Sequence, residues 1–456
     1  MKEQLKAVMK AKTIREAFEL LPWSFIEAFA AIPTAMFIFS ALIDVIMMIV
    51  IAYPYLFLLG DMWVSFYILG IAAILLYIGK CYVEKIKFRD ILKQNLPTSF
   101  FVVMSVFILI STTVNGWNEY AIHGHPNRHE SIFVYFTYYF VFFFLSSIVG
   151  NEKIKKFLIH SFIAIALISG ICVAISLIRE SYTFAIKRPG GEVWIIGIFN
   201  NPNHYGYYLT VAAMCSGALF AIEKNILLRI IGFLSFIINT VMLMLNDTFG
   251  CYVAVLCGLI FMPIVIFIKD KKINISSIVL LAMFAAITII TNNCTSSISD
   301  SLTNMENFTD LSDVEPGVML NTTEPMNTAK SRLILWIETI KCAFERPLVG
   351  YGTEGIKDHL AQFTGDERTH NEFLQYFGFY GIPAGICYFS AVMSVFIHGL
   401  KNKKNLDRYT TIALIVAFAY CVSAFFGSSR TYTAPYLFIF LGLGFGICNK
   451  QQAEKE

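Results

Sequence analysis

Long apolar stretches recur along almost all of this 456-residue chain, and they constrain its fold more than any other feature. A helix needs about 20 consecutive, mostly apolar residues to cross a bilayer. Segments that meet this requirement lie near residues 28–58, 62–79, 96–114, 131–149, 157–178, 205–222, 226–245, 248–268, 274–291, 372–398, 409–427 and 432–448. The sequence therefore predicts an all-α polytopic membrane protein with about twelve transmembrane helices. The first segment is overlong and contains Pro54, so a kinked or re-entrant pair is an alternative there.

Composition supports the same class. The chain is 57% hydrophobic and 15% charged, with a mean hydropathy of +0.64. Soluble domains are about half apolar and about a quarter charged, so an ordinary soluble protein is excluded. Residues 1–24 mix charges with apolar residues at helical spacing, which predicts a cytoplasmic amphipathic segment.

The distribution of lysine and arginine predicts the orientation, because cytoplasmic loops are enriched in both. Most of the 35 basic side chains fall on one side if the N-terminus is cytoplasmic, and the C-terminus then lies on that side too. The cations left outside are Arg128, Arg179, Lys187, Arg188, Lys330, Arg332, Lys341, Arg346, Lys357, Arg368 and Arg430. An arginine kept outside against the bias needs a reason, so these residues are the first candidates for function.

The predicted spans divide the chain unevenly. The expected parts are the segment 1–24, a membrane domain 25–291 of about nine spans, a large extracytoplasmic loop 292–371, a membrane domain 372–448 of three spans, and a cytoplasmic tail 449–456. The first half of the loop is polar and reads as irregular. From Ser331, apolar residues recur at helical spacing as far as Pro347, which predicts a helix on the outer membrane surface.

Three tracts resemble the signatures of the O-antigen ligase and polymerase superfamily. They are RPGGEVWIIGIFNNPNHYGYYL, SRLILW followed by RPLVGYGTEG, and THNEFLQYFGFYGIPAG. Their order and the large outer loop between late spans are also similar to that family, over roughly residues 185–395. The chain departs from the pattern at Asp247, Thr248, Phe249 and Gly250, where many members have Ser-Arg-Gly, so an arginine is missing.

The resemblance implies an inverting, metal-independent membrane glycosyltransferase that needs no cofactor and acts in cell-surface polysaccharide biosynthesis. It would be integral to the cytoplasmic membrane, with its active site on the extracytoplasmic face. The donor would be a glycan on polyprenyl pyrophosphate and the acceptor another glycan or a lipid. Its other partners would be membrane lipids and proteins of a polysaccharide assembly pathway, and no nucleic acid is expected. Polymerase and ligase share these motifs, and the lack of a recognisable anchor-binding surface slightly favours the polymerase.

The chemistry of such a transfer selects particular side chains. A base must take the proton of the acceptor hydroxyl, and cations must stabilise the departing pyrophosphate. Arginine binds phosphate oxygens in pairs and stays charged, and the motifs select Arg188 and Arg332. An imidazole accepts protons near neutral pH, which makes His370 the candidate base. The competing interpretations are that Arg188 snorkels towards headgroups, that Arg332 anchors the surface helix, and that His370 and Asn371 cap the tenth span.

Further residues are candidates for substrate binding. Asn203 can cap the sixth span or bind sugar hydroxyls, and Arg430 can assist with the phosphates. Trp336 stands near Arg332 in sequence and can stack on a sugar, although packing against neighbouring side chains is the stronger interpretation. Asn371 can bind substrate or serve only as a cap. His123, His125 and His129 share one outer loop, where a polar loop is a simpler interpretation than a metal site.

A transporter or flippase of a glycan or small solute is the alternative function, because about twelve spans are also typical of carriers. Carriers usually contain related halves, and no internal repeat is evident in this sequence. A non-catalytic scaffold is a further alternative if His370 is only a cap.

Overall fold

The computed structural model describes residues 2–51, 63–126, 128–187, 193–199, 201–295 and 328–445. Within these ranges the chain is almost entirely helical. The first helices are α1 (Lys2–Met9), α2 (Ile14–Leu20), α3 (Trp23–Ile51), α4 (Trp63–Val83), α5 (Phe88–Gln94), α6 (Leu96–Asn115), α7 (Glu119–His123), α8 (Ile132–Phe143, continued by a π-helical turn Phe144–Ile148) and α9 (Glu152–Ile178). After a short antiparallel hairpin of β1 (Ala185–Lys187) and β2 (Val193–Ile195) come α10 (Pro202–Ile222), α11 (Ile226–Asn246), α12 (Phe249–Asp270) and α13 (Ile275–Thr295). The last helices are α14 (Thr328–Glu345), α15 (Lys357–Thr364), α16 (Glu372–Tyr380), α17 (Ile382–Lys401), a 3₁₀ turn (Lys403–Asn405), α18 (Arg408–Ala424) and α19 (Ala434–Phe445).

The apolar stretches of the sequence fold as helices. In the described part of the chain, eight helices are long and apolar enough to cross a membrane, and four more apolar helices are shorter. Each predicted span overlaps one of these helices. Their number as true spans, the position of both termini and the side on which the large loop lies stay predictions. The end of the first predicted span, with Pro54, lies outside the described residues.

The span expected at 372–398 is not one helix, and this part of the prediction is wrong. The chain breaks at Gly381, whose φ of 85° lies in the left-handed region that favours glycine. A Cβ at this position would approach the backbone carbonyl carbon of Leu348 to 2.7 Å. Gly381 therefore fits between α16 and α17 against the turn that follows α14.

The helices on either side of Gly381 fold back on each other as a hairpin. Phe377 packs against Gly385. Further from the turn, the rings of Phe373 and Tyr388 lie 5.6 Å apart. At the start of α16, the Tyr388 hydroxyl donates a hydrogen bond of 2.7 Å to Glu372. The nine residues of α16 rise about 14 Å. The residues just before α16 therefore lie deep in the bundle, well away from the Gly381 turn.

Helix α10 is the centre of the bundle, and nearly all of its side chains are buried. It packs against α9, α11, α12, α13 and α18. Small residues allow this close approach, as in other membrane helices. A Cβ on Gly232 of α11, for example, would lie 2.8 Å from the backbone oxygen of Ser216 in α10. The N-terminus of α10 is consequently held rigidly where it faces α16.

Candidate active site

A polar cavity lies between the N-terminus of α10 and the segment that leads into α16. Its cavity volume is about 170 Å³, and it is lined by Arg128, Asn201, Asn203, His204, Tyr207, Asp366, Glu367, Arg368, His370, Phe426, Gly427, Ser428 and Arg430. These residues come from the loop before α8, the start of α10, the loop before α16 and the α18–α19 connection. The site is thus assembled from four separated parts of the sequence.

His370 holds an unusual backbone conformation at the edge of this cavity. Its φ is 50°, in the left-handed region, which costs a non-glycine residue about 1–3 kcal/mol. The cap of α16 is Asn371, whose side-chain oxygen accepts the Leu374 N–H at 3.0 Å. The capping interpretation is confirmed for Asn371, and it leaves the His370 ring facing the cavity with 26% of its side chain exposed. Such strain is commonly kept at functional positions, which supports a role for the imidazole.

Asp366 lies beside the His370 ring. The distance from its Oδ2 to His370 Nε2 is 3.7 Å. The neighbouring His370 side chain, and then Arg332 and Arg128, hold the pKa of Asp366 below its usual range, although burial opposes the shift. The carboxylate is therefore ionised at neutral pH. Because it lies next to Nε2, Nδ1 is the ring nitrogen that is not beside the carboxylate.

Helix α14 supplies two of the predicted residues on one face, since Arg332 and Trp336 are four positions apart. The Trp336 indole N–H donates to the backbone oxygen of His370 at 3.4 Å, so this ring supports the strained residue. Arg332 is half-buried and interacts electrostatically with Tyr207 and Asp366. Burial lowers its pKa, but a guanidinium stays protonated.

The Arg332 side chain has no carboxylate within ion-pair distance in the ranges that the structure describes. A half-buried cation without an ion-pair partner is electrostatically suited to an anionic ligand. This property separates Arg332 from Arg128 and Arg368 of the neighbouring loops, which are paired with carboxylates.

Arg128 and Arg368 form a buried network with carboxylates. Glu354 bridges them, since its oxygens accept hydrogen bonds from Arg128 at 2.6 Å and from Arg368 at 2.5 Å. Arg368 also donates to Glu130 at 3.0 Å, and Arg128 also pairs with Glu367. Burial alone would lower the pKa of Arg368, but Glu354 and Glu130 raise it. The network fixes the segment that carries Asp366 and His370.

Replacing Glu354 by glutamine should destabilise the protein by about 3–5 kcal/mol, because two buried arginines would share too little negative charge. Unfolding in detergent, followed by heat or denaturant, measures the change. The exposed Glu119→Gln is the matched control and should alter stability by less than about 0.5 kcal/mol. Equal stability of both variants would show that the network is not coupled as described.

The predicted residues meet only in part. His370, Asn203 and Arg430 line the same cavity, while Arg332 and Trp336 lie at its edge. Burial lowers the pKa of Arg430. Asn371 does not line the cavity, so a role for it in substrate binding stays a prediction.

Arg188 lies outside the described residues, between the two strands of the hairpin. The hairpin itself is tied to the cavity by Asn246, whose side-chain N–H₂ donates to the backbone oxygens of Ile195 at 2.8 Å and Pro202 at 3.0 Å. Thr248 donates to Asn246 at 2.7 Å. Asn246 and Thr248 thus anchor the end of β2 to the start of α10.

Several residues of the site were not predicted. The sequence pattern around Glu354, Asp366 and His204 does not indicate that these residues share a site. The signal available for Arg128 and Arg368 was their position among the outer cations.

His125 stacks on Tyr120 and lies 3.7 Å from Glu367. Across the part of the chain that the structure describes, no group of three or more His, Cys, Asp or Glu residues is placed to hold a metal ion.

One part of this site lies in a range of the chain that matches a known family. Residues 234–389 match the family described as O-antigen ligase. The matched range includes Arg332, Trp336, Glu354 and His370, whereas Asn203 and Arg430 lie on either side of it. No curated protein matches the chain.

Proposed function

We propose that this chain, whose residues 234–389 carry the domain of the O-antigen ligase and polymerase superfamily, is an inverting glycosyltransferase of surface polysaccharide assembly. The donor is a glycan on polyprenyl pyrophosphate, and the acceptor is a hydroxyl presented on the outer side of the cytoplasmic membrane. The observation that carries the proposal is the polar cavity in which His370, Asn203 and Arg430 meet, with Arg332 at its edge.

His370 acts as the general base in this proposal. The acceptor oxygen attacks the anomeric carbon of the donor while its proton passes to Nδ1 of His370. The bond between the anomeric carbon and the pyrophosphate oxygen breaks, and polyprenyl pyrophosphate leaves with the electron pair. Attack from the opposite face inverts the anomeric centre. Asp366 stabilises the imidazolium that forms, since its carboxylate lies 3.7 Å from Nε2.

Arginines stabilise the leaving group. Arg332 and Arg430 are the described candidates, and Arg188 remains a candidate from its motif. Guanidinium groups bind phosphate oxygens in pairs and keep their charge, so the proposal needs no metal. Arg128 and Arg368 are assigned a supporting role instead, because Glu354 already neutralises part of their charge.

Polar side chains at the start of α10 are suited to the glycan. Asn203 and His204 line the cavity beside Ser428, and each can hydrogen-bond to sugar hydroxyls. Trp336 donates its indole N–H towards His370, which favours a positioning role over stacking on a sugar. Whether the acceptor is a growing chain or an anchor depends on features beyond this cavity, and we favour the polymerase.

Purified protein should release polyprenyl pyrophosphate from a glycan-linked donor in the presence of a chelator. His370→Ala should abolish the release. Resolving the products by size distinguishes a polymerase, which gives a ladder of chain lengths, from a ligase, which gives a single coupled species. If neither protein consumes donor, while vesicles that contain the wild type move a glycan or solute, the protein is a carrier and the proposal fails.

A further inference from the structure

A second, apolar groove lies between α12, α17 and α18. Its cavity volume is about 310 Å³. Its walls include Phe261, Val265, Val392, Phe396, Leu414 and Phe418. From Phe389 to Leu400 it follows α17 over a rise of about 16 Å. Since one leaflet of a bilayer contributes about 15 Å of hydrocarbon, this length matches one lipid acyl chain.

The two ends of the groove differ in charge. One end is formed by Lys269 and Lys403. Both side chains are half-buried, and Lys269 donates a hydrogen bond of 3.1 Å to the Thr411 hydroxyl. Among the residues described in the structure, no carboxylate forms an ion pair with either lysine, and Asp270 and Asp407 act on Lys269 only from beyond that distance. The other end is closed by Phe373 and Phe425, whose rings stack at 4.7 Å.

We propose that this groove binds an anionic glycerophospholipid, with one acyl chain along the apolar walls and the phosphate at Lys269 and Lys403. Partly desolvated ammonium groups without a carboxylate partner favour an anion, and an apolar channel that starts at them favours an anion with a hydrocarbon tail. The polyprenyl donor is a poorer fit. Its pyrophosphate belongs in the polar cavity with His370, whereas the groove carries its cations at the opposite end.

A bound lipid would also support the α16–α17 hairpin. Phe373 of α16 and Phe389 of α17 both line the groove, and their rings lie 6.1 Å apart. An acyl chain that contacts both residues would hold the hairpin closed. The lipid should therefore raise the unfolding temperature, since a ligand that binds only the folded state stabilises it.

Binding can be tested with delipidated protein in detergent. Phosphatidylglycerol and phosphatidylcholine with identical acyl chains are compared by native mass spectrometry and by the unfolding temperature. Phosphatidylglycerol should bind more tightly and stabilise more. The variant Lys269→Gln/Lys403→Gln should lose about 25-fold in affinity for phosphatidylglycerol, taking about fivefold per lysine, and should bind phosphatidylcholine as before.

Two further variants separate the groove from general surface charge. Lys401→Gln/Lys404→Gln removes the same charge from exposed lysines near the same end that do not line the groove, and it should bind as wild type. Met393→Trp fills the groove at an exposed position and should lose phosphatidylglycerol although both lysines remain. Equal binding of both lipids by the wild type would overturn the proposal. The proposal would also be overturned if both lysine double variants lost the same affinity for phosphatidylglycerol. It would be overturned as well if polyprenyl phosphate still competed with the lipid in the variant that lacks Lys269 and Lys403.

Discussion

Replacing His370 by glycine should leave a folded protein whose glycan transfer is slower by about 10²–10⁴-fold, the usual contribution of a general base. His370 occupies the left-handed region with φ of 50°. Glycine adopts this conformation without strain, so the substitution removes the base and relieves the backbone. Initial rates of polyprenyl pyrophosphate release, measured together with the unfolding temperature, test both parts.

A helix cap gives the matched control for His370. Asn225 caps α11 far from the cavity by accepting the N–H groups of Leu227 and Leu228. Asn225→Ala should cost about 1 kcal/mol of stability and keep the transfer rate. His370→Gly should instead lower the transfer rate and keep the stability. A His370→Gly protein that transfers glycan at the wild-type rate, or that loses rate only because it unfolds, would exclude His370 as the base.

Arg332→Ala should reduce the transfer rate by about 10²–10³-fold, as expected when one donor to the developing charge is removed. It should change the unfolding temperature little, because no described carboxylate loses an ion-pair partner and only the longer-range attraction to Asp366 is removed. Arg332→Lys keeps the charge but loses the planar fork, so it should recover only part of the rate. Single-turnover rates at saturating donor separate this loss from weaker donor binding.

Arg346→Ala is the control for Arg332. Arg346 follows the same helix, but it is exposed, bonds to Asn115 at 2.9 Å and stacks on Tyr351. Its removal should change the rate by less than about twofold, because a surface cation of this kind contributes little. A normal rate in Arg332→Ala would rule out this arginine as a partner of the leaving group.

Much of the fold could be predicted because lipid imposes a simple requirement on sequence. Each apolar stretch had to become a helix, and the described helices overlap all of the predicted segments. The prediction failed at 372–398, where the sequence stays mostly apolar without interruption from α16 into α17. Gly381 ends α16 through its contacts with Pro347 and Leu348, which are distant in sequence. Only the Gly-Ile-Pro stretch at 381–383 hinted at a break.

The site was less accessible to sequence. Arg332 and Trp336 could be placed together because helical spacing puts them on one face, and His370 was recognisable in its motif. The pairing of Glu354 with Arg128 joins residues 226 positions apart, and no local periodicity reports such a contact. In the sequence, Glu354 belongs to a glycine-rich stretch that indicates only a turn. Arg368 is distinguished only as one of the cations predicted to lie outside.

The bridging position of Glu354 has a consequence for biogenesis. Glu130 precedes its partner Arg368 by 238 residues, a delay of about 10–50 s at ordinary rates of translation. Until then Arg128 and Glu130, which are buried in the folded protein, lack these partners, so the nascent chain must keep them hydrated. Closure of the site is therefore a late event in membrane insertion. Chains that stop before Glu354 would display unpaired charges, which quality-control proteases could use to distinguish unfinished molecules from mature ones.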